Sequence, residues 1–214
     1  MTIHVDSESL SERQMAVLEA TLAVMVEEGD ALTMNSVSRR ASCSKETLYK
    51  WFGDRDGLLT ATVRWQASKV HVPVIDKATI TLAALTNTLE HFARDWLGVI
   101  SSDTSIALNR MAVSHAGSGK TNLGAIVLKN GRQAMGRRLE PVLLAAREAG
   151  LLTFDNADDV FRTFFGLVLR DNQIRLLLGD DIKLAAPQIS ADAVRATQQF
   201  LALYGLNTTP KREG

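Results

Sequence analysis

The helical spacing of apolar residues along the whole chain is the feature that most constrains its fold. Apolar side chains recur every three or four residues in Met15–Met25, Leu82–Val99 and Ser190–Tyr204. This period puts them on one face of a helix, whereas a half-buried strand would alternate them. No alternating segment competes in the sequence, so we predict an all-α protein of about nine helices.

Short helical segments separated by capping residues occupy the first 72 residues. Thr33, Ser44 and Asp54 each precede a helical period, where a side-chain oxygen can accept a hydrogen bond from the first turn. Gly29 and Gly53 follow such periods, where glycine readily adopts a left-handed conformation. This pattern predicts a small N-terminal domain over 8–72.

A second helical domain is expected over 76–206, after a boundary at His71–Lys77. We predict a long helix from about Asn122 to Ala149, with a kink or break at Pro141, because proline removes a backbone hydrogen bond. Another is predicted over 157–178 and a last one over 190–204. The tail from residue 207 is predicted to be disordered.

Cations gather in the N-terminal segment although the chain as a whole has no net charge. The segment Arg39–Arg55 contains five Lys and Arg residues and two acidic residues, whereas residues 1–72 together contain eight Lys and Arg residues and ten acidic residues. Phosphate contacts need Lys and Arg on one face. The segment is therefore a candidate DNA-binding element. Its binding surface must be small, and the acidic residues of 1–72 must face away from the phosphates.

The composition excludes several other classes of protein. One cysteine cannot form an internal disulfide, which fits a reducing compartment. No run reaches the roughly 18 apolar residues of a membrane span, and the N-terminus does not read as a secretory signal. We predict a cytoplasmic protein without membrane contact.

Motifs for catalysis, metals or nucleotides are not convincing. The run Ser114–Thr121 ends in Gly-Lys-Thr, but Ser114 stands where a phosphate loop needs its first glycine. The four histidines are scattered without metal-ligand spacing. We expect no catalytic residue, no metal site and no cofactor.

The segment from Thr33 to Leu59 resembles the TetR family of transcriptional regulators. The run S-K-x-T-L-Y-x-x-F at Ser44–Phe52 and the later D-G-L-L at 56–59 carry the resemblance, which extends over about residues 10–70. It implies an N-terminal three-helix helix-turn-helix DNA-binding domain and a helical C-terminal domain for ligand binding and dimerisation. The sequence departs from the family pattern at five positions: Met34, Ser38, Ser42, Cys43 and Trp51.

The predicted DNA contacts lie on this hairpin. They are Thr33, Asn35, Ser44, Lys45, Thr47, Tyr49, Lys50, Trp51 and Arg55. The resemblance assigns phosphates to Thr33, Tyr49 and Arg55, and base edges or nearby phosphates to Lys45 and Thr47. Glu46 is expected to stabilise a helix N-terminus, and Cys43 is either a packing residue or a redox switch.

Two further sets of residues are predicted in the C-terminal half. Ligand-pocket candidates are polar or large side chains inside apolar periods: His91, Trp96, Arg110, Met111, His115, Met135, Phe165 and Asn172. Dimer-interface candidates lie on the apolar faces of the last two predicted helices: Val160, Phe164, Val168, Val194 and Leu201.

Together these features predict a sequence-specific DNA-binding transcriptional regulator. A single hairpin is a small footprint, so we expect a homodimer on a near-palindromic operator in double-stranded DNA. The resemblance implies a repressor released by a small-molecule effector. The alternatives are a small helical enzyme using a C-terminal cavity, and a helical adaptor whose hairpin no longer binds DNA.

Overall fold

The computed structural model describes residues 10–73, 80–117 and 122–206, and this part of the chain is helical without a strand. The all-α fold predicted from the sequence is therefore confirmed. The helices are α1 (Glu12–Glu28), α2 (Met34–Arg40), α3 (Lys45–Phe52), α4 (Arg55–Ser68), α5 (Leu82–Ile100), α6 (Asp103–Ser114), α7 (Leu123–Val127), α8 (Gln133–Glu148), α9 (Ala157–Leu169), α10 (Asn172–Leu177) and α11 (Ala186–Tyr204).

The helices form two compact units, each built from separate stretches of sequence. The first unit takes the chain up to Val70, with Val99–Met135 and Gln173–Lys183, and the second takes the remainder. The two continuous domains expected over 8–72 and 76–206 stay a prediction, because a compact unit is not by itself an independently folding domain.

In the first unit, α1 packs against α2, α4 and α6. Its buried face carries Leu18, Leu22 and Met25, the stripe that the 3/4 spacing predicted. Leu108 and Met111 of α6 join the same hydrophobic core. The hydrophobic core of the first unit therefore includes residues that lie far along the chain.

The second unit is built around α9 and α11, which pack against each other, and around a cluster of aromatic rings. Trp96 stacks on Phe161 with ring centroids 5.7 Å apart, and Phe164 meets Phe200 edge-on at 5.0 Å. Such pairs contribute about 0.5–1.5 kcal/mol each beyond the area that they bury. The core of the second unit is thus formed by side chains of one chain, without a contribution from a second subunit.

Two helix boundaries differ from the prediction. The segment 157–178 is two helices, because Arg170 takes a φ of 49° and ends α9. A left-handed residue that is not glycine leaves no clear mark in the sequence. Of the kink or break predicted at Pro141, the break does not occur, since α8 runs through that residue. The irregularity lies earlier, in a π-helical turn, Leu128–Arg132, that joins α7 to α8.

Some predicted features fall outside the described residues. They are most of the boundary at 71–77, the Gly-Lys-Thr of residues 119–121, and the tail from residue 207. Elsewhere in the described ranges, no helix is long and apolar enough to cross a membrane. Within the same ranges, no group of three or more His, Cys, Asp or Glu side chains is arranged to hold a metal ion.

Candidate nucleic-acid interface

Each hairpin helix begins with the cap that its sequence predicted. The Thr33 hydroxyl accepts from the Ser36 N–H at 3.0 Å, and the Ser36 hydroxyl accepts in return from the Thr33 N–H. The Ser44 hydroxyl accepts from the Thr47 N–H at 3.1 Å at the start of α3. Each cap satisfies an N–H that would otherwise lack a partner. These bonds set where α2 and α3 begin.

The turn between α2 and α3 is compact and locally strained. Ser42 has a φ of 49°, in the left-handed region that glycine adopts without a steric cost. The N–H of Cys43 donates to the Ser38 carbonyl at 3.0 Å and closes the turn. The half-buried Cys43 side chain packs against the core of the first unit. Burial raises the pKa of its thiol, an effect that nearby Arg13 opposes.

Helix α3 separates its side chains into a core face and an open face. Leu48 is fully buried, Phe52 is nearly so, and the two anchor the helix. Lys45 and Lys50 are exposed, and Tyr49 keeps half of its surface open. A helix with an apolar inner face and exposed cations and hydroxyls outside has the chemistry that a DNA groove requires.

The other predicted contacts divide between open and packed positions. Thr33, Asn35 and Ser44 are exposed, whereas Thr47 and Arg55 are half-buried. Trp51 is also half-buried: its indole meets the Phe52 ring edge-on at 6.2 Å and packs against the core. Part of the Trp51 side chain is therefore buried in the protein and is not available to DNA.

Charge on the hairpin is partly engaged within the protein. The Arg40 guanidinium lies 2.8 Å from the Glu27 carboxylate, and both side chains are about half exposed. Exposed pairs of this kind contribute little to stability. The pKa of Glu46 is lowered by a hydrogen bond from its own backbone N–H and one from the Ser44 hydroxyl. Glu46 thus supports the start of α3, as expected from the sequence.

The ligand-pocket candidates do not gather in one unit. Arg110, Met111, His115 and Met135 belong to the first unit, and His91, Trp96, Phe165 and Asn172 to the second. Met111 lies in the core of the first unit. The Arg110 guanidinium donates to the carbonyls of Leu176 and Leu177 and so caps the end of α10.

In the second unit, the structure brings together two of the four candidates. Trp96 and Phe165 lie with their rings 5.0 Å apart. The His91 Nε2 atom lies 3.5 Å from Asp95 Oδ2, one turn along α5. Asn172 is buried at the first residue of α10. The pocket assignments stay predictions.

The dimer-interface prediction needs correction at three positions. Val160, Phe164 and Val168 are at most 2% exposed in a single chain. A side chain that is already buried has no surface left for a partner, so these three residues belong to the core. Val194 and Leu201 are partly exposed and stay candidates.

Sequence reasoning missed two residues of the first unit, Gly57 and Asn130, through which α4 contacts its neighbours. A Cβ atom on Gly57 would lie 1.9 Å from the Phe52 carbonyl oxygen, so α4 touches the end of α3 through bare backbone. Asn130 accepts a hydrogen bond from Arg64 of α4 at 3.0 Å. The sequence did offer a sign of each residue: Gly57 is the glycine of the D-G-L-L run, and Asn130 is a polar residue inside a helical apolar period.

Comparison with known proteins agrees with this geometry. Residues 87–206, more than half of the chain, match the C-terminal domain of AefR-like transcriptional repressors. A TetR transcriptional regulator from Agrobacterium tumefaciens is 42% identical over 92% of this chain and 97% of its own, with a TM-score of 0.79. The chain belongs to the TetR family of transcriptional regulators. Its helix-turn-helix is therefore that of a DNA-binding regulator.

More distant structures share the fold of this TetR-family chain. The flavonoid-responsive regulator FrrA is 24% identical over 91% of this chain and 98% of its own, with a TM-score of 0.66. A SmeT–triclosan complex is 16% identical over 92% and 94%, with a TM-score of 0.64. No curated protein matches the sequence significantly.

Proposed function

We propose that this TetR-family chain is a homodimeric, cytoplasmic repressor that binds a near-palindromic operator and is released by a small-molecule effector. The observation that carries the proposal is the open face of α3, where Lys45, Tyr49 and Lys50 are exposed while Leu48 and Phe52 fix the helix in the core. Cations and a phenolic hydroxyl on a rigid helix suit a phosphate backbone and base edges.

The proposed DNA contacts follow from where each side chain lies. Tyr49 donates its hydroxyl to a phosphate, Lys50 neutralises another, and Lys45 and Thr47 lie at the N-terminal end of α3, the end that meets base edges in helix-turn-helix proteins. Thr33, Asn35, Ser44 and Arg55 contact the phosphate backbone from the starts of α2, α3 and α4. Trp51 contributes only through the part of its ring that the core leaves open.

Dimerisation is supported by the small DNA contact area of a single hairpin and by the outer surface of α9 and α11. Two hairpins reading successive major grooves give the affinity that one cannot. Alongside the partly exposed Val194 and Leu201, the outer surface of these helices carries the small residues Gly166, Ala191 and Ala202. Small residues let a second copy approach closely. We propose this surface, and not the buried side chains of α9, as the contact between subunits.

Release by an effector is supported by the family and by what is said of distant relatives. FrrA is described as flavonoid-responsive, and SmeT was solved with triclosan. Both lie below 25% identity, so they leave the chemistry of the effector open. The two subunits of a dimer hold their hairpins at a certain separation. An effector that binds more tightly when this separation does not fit the operator would lower the DNA affinity by the ratio of its own affinities for the two states.

The proposal is tested by fluorescence anisotropy with labelled DNA from upstream of the gene. The wild type should bind specifically, with affinity falling as salt rises. Lys50→Ala should reduce the slope of log K against log salt by about 1. Tyr49→Phe should weaken binding roughly tenfold, because a hydrogen bond to a charged phosphate is lost.

Lys183→Ala is the matched control, because it removes an exposed lysine that lies outside the hairpin helices α2 and α3. It should leave both affinity and slope unchanged. Equal effects of Lys50→Ala and Lys183→Ala, or no salt-sensitive binding by the wild type, would show that the hairpin is not the DNA-binding element. Light scattering on the same samples checks the dimer.

A further inference from the structure

Helix α4 is joined to the recognition helix α3 at its first turn. The close approach of Gly57 to the Phe52 carbonyl leaves no room for a side chain between the two helices. Leu58 and Leu59 of the same turn are fully buried. A displacement of α4 therefore carries α3 with it. Whatever holds the other half of α4 also sets the position of the DNA-reading face.

The other half of α4 contacts the π-helical turn between α7 and α8, and α4 also packs against α1 and α7. Arg64 lies nine residues beyond Arg55, about 14 Å along the helix axis. Its Nε atom donates to Asn130 Oδ1 at 3.0 Å, and Asn130 is only 8% exposed. In the turn itself, the N–H of Gln133 donates to the Leu128 carbonyl five residues back.

The amide of Asn130 fits both of its neighbours through opposite polarities. Its nitrogen Nδ2 donates to the Ile126 carbonyl at 3.0 Å, while its oxygen accepts from Arg64. Aspartate at this position would set a carboxylate against the Ile126 carbonyl, and leucine would bond to neither. The side chain thus serves the local turn and the bond to α4 at the same time.

The register of the helix decides whether this arrangement exists. One residue in an α-helix turns the side chain by about 100° around the axis. If the π turn relaxed to the α register, Asn130 would turn away from α4 and Arg64 would lose its acceptor. π turns inside longer helices occur frequently at functional sites, and two discrete registers are the kind of bistable element that switches use.

We propose that the π turn Leu128–Arg132 is a register-sensitive clamp that fixes α4, and through it α3, by means of the bond from Arg64 to Asn130. Asn130 is thereby a positioning residue for DNA binding. The link to DNA rests on the proposed function, whereas the clamp itself does not. The test therefore has one arm without DNA and one with it.

The first arm measures hydrogen exchange by mass spectrometry on the full-length free protein. Asn130→Leu should raise the exchange of α4 and α3 amides about fivefold, the size expected when a partly exposed hydrogen bond to a charged group is lost. Arg64→Gln should do the same, and the double variant should add little, because both changes remove one bond. Arg64→Gln also serves if Asn130→Leu does not fold.

Two controls separate the clamp from general damage. Asn109→Leu removes an amide that donates to the Ser105 carbonyl within α6. Val113→Ala changes an exposed residue of α6, outside the π turn. Both should leave α3 exchange unchanged. Additive effects of Arg64→Gln and Asn130→Leu, or α3 exchange that rises as much in the controls, would overturn the clamp.

The second arm measures affinity for the upstream DNA. Asn130→Leu and Arg64→Gln should each weaken binding about fivefold, while the controls bind as the wild type does. Lys50→Ala should weaken binding without changing exchange in α4. Faster exchange with unchanged affinity overturns the positioning role. If the wild type binds no DNA, the proposed function and the positioning role fall together, and the exchange arm alone decides the clamp.

Discussion

The same substitution, glycine to alanine, should change stability in opposite directions at two positions of this protein. Gly57 lies in the first turn of α4, and Gly98 lies in α5. Neither has a positive φ, so no backbone strain separates them. A Cβ on Gly98 would meet no atom within 4 Å, whereas one on Gly57 would lie 1.9 Å from the Phe52 carbonyl oxygen.

The magnitude follows from that distance. Real Cβ atoms essentially never come within 3.0 Å of such an atom, so α3 and α4 must separate by at least 1.1 Å, the difference between 3.0 and 1.9 Å. The obstacle is backbone, which cannot rotate away, so the cost lies at the upper end of overpacking effects, about 3 kcal/mol. Gly98→Ala should instead stabilise by about 0.5–1 kcal/mol, because it reduces the entropy of the unfolded chain.

Urea denaturation followed by circular dichroism measures both variants. All samples are compared at one protein concentration, because association shifts apparent stability. We expect the midpoint to fall for Gly57→Ala and to rise slightly for Gly98→Ala, with unchanged slopes. A Gly57→Ala variant within about 0.5 kcal/mol of the wild type would refute the close approach of α3 and α4.

Three further outcomes follow from single side chains. Ser42→Gly should stabilise the protein by roughly 0.5–1 kcal/mol in the same assay, because relief of a left-handed conformation exceeds the entropy that glycine adds to the unfolded chain. Phe164→Ala should lower the free energy of unfolding by about 3–5 kcal/mol, by the same amount at every protein concentration, whereas an interface residue would show a concentration dependence. Because the pKa of Cys43 is raised by burial, its alkylation by iodoacetamide should be slower than that of a cysteine peptide at equal pH and should accelerate only at higher pH; equal rates would contradict its burial. The raised pKa adds stability that is fully present below the pKa of the unfolded thiol and is lost as pH rises through the folded value.

The hairpin was predictable because its determinants are local. Ser44 caps the helix that follows it, and Leu48 and Phe52 share a face through spacing alone. Thr33 caps α2 for the same reason, through a bond that spans three residues. Short-range hydrogen bonds and helical period are properties of neighbouring residues, so the sequence displays them directly.

The dimer-interface residues show where a pattern stops being informative. Phe164 and Val168 form an apolar stripe whether they pack within one chain or against a second subunit. The spacing is identical in both cases, and only the position of α11 against α9 shows that one chain already covers them. Arg170 is a second case, because its left-handed φ ends α9 without a glycine to announce it.

By itself, the sequence determined the helical class, the caps of the hairpin and the family, because each rests on a few neighbouring residues or on a specific motif. Only the tertiary structure decided that α6 joins the hydrophobic core of the first unit, that α4 contacts α3 at Gly57, and that Asn130 bonds to Arg64. Arg64 and Asn130 lie 66 residues apart in the chain. Helical period places side chains around one axis, but it carries no information about which axes lie side by side, and packing alone supplies that.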